Sequence, residues 1–343
     1  MEVYVLATVV IIVALIFDGI NGFHDAANAI ATVITTGALK ARTAIMMSAA
    51  FNLIGALMGT AVAAVIARDI VDMTQVSADK QLFLVIAALL GAIGWNLITW
   101  WFGLPSSSTH AIIGGLMGAG LAEQIAGNNV HVKLATVVAK VLDPMILSPV
   151  VGFGLALVIM VILNQIIKRA NLQKTDKFFR TAQIFTSASL SLGHGLQDAQ
   201  KSMGLMFMAA APVGFFGIKA GQTEMPLAII LMASAAIAIG TMAGGQRIIR
   251  TLGSKITDVD PQKGFVAEAV SSAVLFISAY FIHAPISTTH TVTSAIAGTG
   301  AADNIRAVKW STLKNIVMAW IITVPSAGLI GFMFEEIFRM LFM

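Results

Sequence analysis

The chain has 343 residues, of which 57% are hydrophobic and only 11% charged, whereas a soluble domain carries about 25% charged residues. There is no cysteine, which excludes disulfides and thiolate metal sites. The net charge of +4 comes without basic runs interleaved with aromatics, so no nucleic-acid partner is expected, and the charge reports membrane topology instead. Apolar stretches recur at 3–17, 44–66, 82–101, 145–167, 225–243, 265–282 and 316–334, more than one cleaved signal peptide explains. The expected fold is an all-α polytopic membrane protein, multi-pass in the cell (cytoplasmic) membrane and embedded in the lipid bilayer. No stretch between the apolar segments is long enough for a soluble domain.

The first apolar stretch runs into "FDGINGFHDAANAIATV" (17–33), which places Asp18, Asn21, His24, Asp25 and Asn28 at membrane depth. An ionised side chain there costs several kcal/mol, of order ~3, unless it is paired or solvated. Gly19 and Gly22 are expected to break the helix into two half-helices. Next comes "GLPSSSTHAIIGGLMGAGLA" (103–122), in which Pro105 followed by Ser106, Ser107, Ser108 and Thr109 reads as a helix start. The stretch 132–167, interrupted by Asp143, Pro144 and Pro149, reads as one span or two. "KRANLQKTDKFFR" (168–180) is basic and therefore expected on the cytoplasmic side.

The second half repeats the first. "HGLQDAQKS" (194–202) matches "NGFHDAANA" (21–29), with Asp198 opposite Asp25. "HAPISTTHTVTSAIAGTGAA" (283–302) matches 103–122, with Pro285, Ser287, Thr289 and His290 opposite Pro105, Ser107, Thr109 and His110. Pro325 and Gly328 answer Pro149 and Gly152. The expected organisation is an N-terminal repeat (1–165), a basic cytoplasmic linker (166–180) and a C-terminal repeat (181–343). Loop 66–80 is acidic where its counterpart 246–263 is basic, so equivalent loops face opposite sides. Two inverted-topology repeats with broken helices and re-entrant segments follow, about 10–12 membrane segments in all, on the plan of secondary transporters.

Five of the six histidines (His24, His110, His194, His283, His290) lie in the four repeated motifs. Histidine is the side chain that most readily carries a proton near neutral pH. The hydroxyls of Ser106, Ser107, Ser108, Thr109, Ser287, Thr288 and Thr289 exceed what two helix caps require. Helix N-termini carry partial positive charge and free N–H groups, and two facing each other surround a small tetrahedral oxyanion with donors. Asp25 and Asp198 repel an anion, and make sense if cations enter with it. Asn28 shares a helix face with Asp25, and Lys201 stands at the equivalent position after Asp198.

These motifs resemble the inorganic phosphate transporter (PiT) family, in its bacterial low-affinity branch, across essentially the whole chain. The resemblance implies symport of inorganic phosphate with H⁺ or Na⁺, or uptake of a neutral metal–phosphate complex, by a homodimer built on inverted repeats, without a resident cofactor. It implies that Asp25 and Asn28, with Asp198, belong to the coupling-cation signatures, and that the hydroxyls at 106–109 and 287–289 bind substrate; beside these matched positions, His24 and Gln197 are further candidates for the coupling cation and Lys201 for the substrate. Three departures from the sodium-coupled pattern stand out: His24, Gln197 and Lys201 each replace an Asn. Proton coupling through His24 or an Asp is therefore expected over sodium.

Sulfate, another tetrahedral oxyanion, fits the same donors. An anion channel also uses helix ends, but carboxylates repeated in both halves argue for coupling ions. A hydrolytic triad of Ser107, His110 and Asp25 lacks a Gly-x-Ser-x-Gly elbow, so no enzyme activity is expected. Without a P-loop, nucleotide-driven transport is not expected.

Overall fold

The computed structural model describes residues 2–219 and 221–342, and it is helical nearly throughout. In chain order the helices are α1 (Glu2–Thr35), α2 (Ala41–Ala56), α3 (Ala61–Asp69), α4 (Ala78–Trp101), α5 (Ser108–Ile125), α6 (Leu134–Val137) and α7 (Asp143–Ile167). They continue as α8 (Leu172–Ala210), α9 (Leu227–Ala243), α10 (Gln246–Ser254), α11 (Pro261–Ile277), α12 (Thr288–Asp303) and α13 (Trp310–Phe342). A two-residue antiparallel pair, β1 (Val71–Asp72) with β2 (His131–Val132), clips two loops together.

By length and composition five helical runs can cross a membrane: α1, α4, α6–α7, α11 with its π-helical extension to Ile282, and α13. The count is seven if the bent pairs α2–α3 (70°) and α9–α10 (73°) each form one span. The stretch 134–167 is thus one run, with a π-helical turn at Val138–Leu142 just before Pro144. That turn re-registers the backbone where proline supplies no N–H. Helices α5 and α8 fall outside this count because polar side chains punctuate them, and α12 because it has only 16 residues; α5 and α12 are nevertheless buried along most of their length. Large apolar side chains of α1 and α7, such as Ile12, Ile16, Ile146 and Val150, point outward, as a lipid-facing surface requires. The basic connector is shorter than its sequence indicates, since residues from Leu172 onward already belong to α8.

Equivalent helices exchange partners. Helix α1 packs on α8, α9 and α10, while α8 packs on α1, α2 and α3. Likewise α5 lies against α13 and α12 against α7. The two halves are therefore interlocked, with buried polar side chains of α1, α8, α5 and α12 brought together between them.

Helix α1 is not broken at Gly19 and Gly22. It runs unbroken for 34 residues, and α8 for 39. The glycines serve close approach instead: a Cβ on Gly22 would lie 2.9 Å from Thr241 N on α9 and closer still to the Ile237 carbonyl. Gly195 on α8 meets the Asn52 backbone of α2 in the same way. Missing Cβ atoms let interior helices touch backbone to backbone, the usual packing device in lipid. The breaks lie elsewhere, in the extended segments just before α5 and α12. There Pro105 and Pro285 prevent α4 and α11 from continuing. Gly103 (φ 64°) and His283 (φ 56°) make equivalent left-handed turns into these segments.

Candidate functional site

Helices α5 and α12 begin inside the protein, and their first turns face one another. Ser107 caps α5 by accepting from the His110 backbone N–H (3.2 Å), and Ser287 caps α12 through His290 N–H (3.1 Å). Thr109 Oγ1 donates across to the Ile286 carbonyl (3.2 Å), tying the two starts together. The His110 and His290 rings pack on each other at 4.4 Å between centroids, and His290 stacks on Trp320 at 3.9 Å. Trp320 Nε1 in turn donates to the Pro105 carbonyl (3.0 Å). These two histidines therefore brace the helix starts from behind. Ser107 takes the backbone amide of His110, and Asp25 bonds Ser108 rather than His110, so no hydrolytic triad forms.

The Asp25 carboxylate sits between the two helix starts. Ser108 Oγ, in the first turn of α5, donates to Asp25 Oδ2 (2.9 Å). Thr289 Oγ1, in the first turn of α12, donates to Oδ1 (3.4 Å). Asn28, one turn along α1, donates through Nδ2 to Thr289 Oγ1 (2.9 Å) and Thr288 Oγ1 (3.3 Å). His24 Nδ1 lies 2.7 Å from Asp25 Oδ1, and its Nε2 3.3 Å from Thr99 Oγ1. Thr99 Oγ1 is 2.7 Å from Ser106 Oγ, so a chain of polar groups runs from Asp25 through His24 to the segment before α5.

Helix α8 supplies the other half. Lys201 Nζ is 2.8 Å from Asp198 Oδ2 and donates to Ser108 Oγ (2.8 Å). Asn28 of the first half thus reaches the second half's helix start, and its counterpart Lys201 reaches the first half's. Asn21 Nδ2 donates to Asp198 Oδ2 (3.3 Å), and His194 Nε2 is 3.4 Å from the same oxygen. His194 Nδ1 pairs with Asn52 Oδ1 (3.0 Å), and Asn52 Nδ2 donates to Thr241 (2.8 Å). All of these side chains are buried. Buried polar groups at membrane depth persist only where they are paired or functional.

Of the residues singled out in sequence, Asp25, Asn28, His24, Ser108, Thr288, Thr289, Asp198 and Lys201 form one continuous cluster. Ser107 and Ser287 act as caps, while Ser106 and Thr109 tie neighbouring segments. Gln197 is directed away: its Nε2 donates to the Leu275 (3.3 Å) and Ala284 (3.5 Å) carbonyls, holding α8 to the turn before α12. His194, Asn52 and Thr99 went unassigned in sequence. His194 carried a signal, standing one turn before Asp198; Thr99 and Asn52 carried none. Ligand atoms of Asp25, His194 and Asp198 lie within 4.8 Å of one another, near enough to share a cation. The Lys201 ammonium on Asp198 opposes a divalent ion there.

Such a bundle, with two helix starts and five charged or titratable side chains (His24, Asp25, His194, Asp198 and Lys201) enclosed at its centre, defines a multi-pass membrane protein built around a buried polar site. Residues 21–331 match the phosphate transporter family. The chain is 41% identical to a probable low-affinity inorganic phosphate transporter of Bacillus subtilis (strain 168), over 100% of both chains. It is 43% identical to one of Rhizobium meliloti (strain 1021), over 94% of this chain and 93% of that one. A solved structure described as the sodium-dependent phosphate transporter superposes with a TM-score of 0.85 at 23% identity, covering 99% of this chain and 100% of that one, and so shares the fold. The chain belongs to the phosphate transporter family.

Proposed function

We propose that the protein is a secondary symporter that carries inorganic phosphate across the cell membrane with a proton, by alternating exposure of the site between α5 and α12. The two halves, 1–165 and 181–343, act as inverted repeats about that site, joined through the connector at 166–180 on the cytoplasmic side. The observation that carries this reading is the position of Asp25, whose carboxylate accepts from the first turns of both α5 and α12. Phosphate seeks the same hydroxyls and the same helix-end N–H groups, whose first-turn donors have no intrahelical partner. A charged Asp25 competes with the anion for these donors and repels it. Neutralising Asp25 removes both penalties, so anion and cation binding reinforce each other, which is the thermodynamic condition for symport.

A proton is favoured over sodium at Asp25 because His24 Nδ1 already lies against its Oδ1 and connects it to Thr99 and Ser106. In the second half Lys201 supplies a fixed positive charge beside Asp198. Metal–phosphate as the transported species and a homodimeric assembly rest on the family resemblance alone. The test is phosphate uptake into proteoliposomes with pH and sodium gradients imposed separately. Uptake should follow an inward proton gradient in sodium-free buffer. Uptake that needs sodium and ignores the proton gradient overturns the proton assignment, equal competition by sulfate overturns phosphate selectivity, and uncoupled flux at channel rates overturns symport.

A further inference from the structure

A cavity of about 440 Å³ between α7 and α13 lies outside the network around Asp25. Its mouth is apolar and faces outward: Ile146 and Val150 of α7 and Ile321 of α13 line it and are 68%, 63% and 62% exposed. The stack of His110, His290 and Trp320 also lines it. His110 and His290 are only 7% and 4% exposed, and among the described residues His110 Nδ1 and His290 Nε2 have no hydrogen-bond partner. Trp320 Nε1 is already committed to the Pro105 carbonyl. The other lining side chains carry neither nitrogen nor oxygen. Trp320 stands ten residues into α13, about 15 Å from its start, so these rings lie deep in a hydrocarbon layer about 30 Å thick.

The lining selects the ligand. Pockets of this size, mostly apolar with a few polar groups, hold small molecules. A plain alkyl chain fills the mouth but leaves the ring nitrogens unpaired, at the cost of a buried polar group. A charged head at this depth costs several kcal/mol, of order ~3, and no charged side chain lines the cavity to offset it. Water needs two to four polar partners, and the mouth through which it would enter is hydrocarbon. A neutral imidazole has one donor and one acceptor nitrogen, and a hydroxyl is donor and acceptor at once. We infer that the cavity is a binding site, entered from the membrane, for an uncharged amphiphile with one hydroxyl group, whose apolar body lies along Ile146, Val150 and Ile321 and whose hydroxyl meets His110 and His290. The same rings brace the starts of α5 and α12, so the ligand sits directly behind the phosphate site.

The test uses purified full-length protein in lipid nanodiscs and 1-dodecanol carrying a photoactivatable diazirine in its chain, with mass spectrometry of the digested protein to locate the label. Labelling should saturate and fall on α7 around Ile146 and Val150 and on α13 around Ile321. Unlabelled 1-dodecanol should displace it at a mole fraction in the lipid several-fold lower than dodecane, which lacks the hydroxyl. His290→Phe keeps an aromatic ring and the backbone cap, and should erase that difference. Val150→Trp, which fills the mouth from the lipid side, should abolish saturable labelling with phosphate uptake unchanged, and covers the case in which His290→Phe fails to fold. Displacement by dodecane as readily as by dodecanol would reduce the cavity to one filled by acyl chains and overturn the proposal. Labelling that never saturates, as when a lipid or a second copy of the chain covers the mouth, or that persists in Val150→Trp, would overturn it too. Labelling requires no transport, so the result is independent of the ion that drives uptake.

Discussion

Lys201 and Asp198 lie one turn apart on α8 with their charged atoms 2.8 Å from each other, both fully enclosed by protein. Breaking a buried pair by removing one partner costs about 3–5 kcal/mol, because the other charge is left uncompensated. Lys201→Met is therefore expected to lower stability by an amount of that order. The double variant Asp198→Asn with Lys201→Met should recover a large part of the loss. Denaturation of the two variants beside the wild type checks this, and equal losses in the single and double variants would show that the pair is not what holds α8.

The capping and binding hydroxyls should separate in experiment. Ser107 accepts the His110 amide, and replacing an N-cap serine with alanine costs about 1 kcal/mol. Ser107→Ala should lower Tm with little change in the apparent KM for phosphate. Ser108 instead stands between Asp25 and Lys201, so Ser108→Ala should raise the apparent KM several-fold. Uptake kinetics paired with thermal denaturation distinguish the two outcomes.

His24 links Asp25 to Thr99 through its two ring nitrogens. His24→Asn removes that link without emptying the space. Proton-driven uptake should slow markedly, while phosphate–phosphate exchange across the membrane, which needs no net proton movement, should persist. Equal slowing of both processes would mean that His24 shapes the site rather than serving the proton.

Gly195 touches the Asn52 backbone on α2, and a methyl group there meets main chain that has no rotamer to yield. Overpacking of this kind costs about 1–3 kcal/mol. Gly195→Ala should lower Tm, whereas Gly154→Ala, where a Cβ meets nothing within 4 Å, should not. Thermal denaturation of both variants provides the comparison.

What the sequence made legible depended on local chemistry. Proline followed by Ser and Thr marked the starts of α5 and α12 because capping and the missing proline N–H act within a few residues. The repeat then brought Asp25 and Asp198 into correspondence. Gly19 and Gly22 misled because a glycine in a membrane helix serves either a break or a close contact, and the choice lies with the helix opposite, here α9. Gln197 misled in a similar way: its neighbour Asp198 faces the centre, while its own side chain turns to the backbone before α12. Thr99 and Asn52 were invisible, since nothing in their own segments announces that a histidine from another helix meets them. Glu268 belongs with these: it accepts from Thr32, Gln183 and Thr186, joining α1, α8 and α11, with no motif around it.

The central claim is that the charge on Asp25 and the phosphate compete for the hydroxyls of Ser108 and Thr289. Phosphate binding to purified wild type and Asp25→Asn, measured across the same pH series, tests it most directly. The account predicts that Asp25→Asn binds phosphate at least as tightly as wild type and loses the part of the pH dependence that wild type owes to Asp25. A folded Asp25→Asn protein that no longer binds phosphate, or that keeps the full wild-type pH dependence, would contradict it.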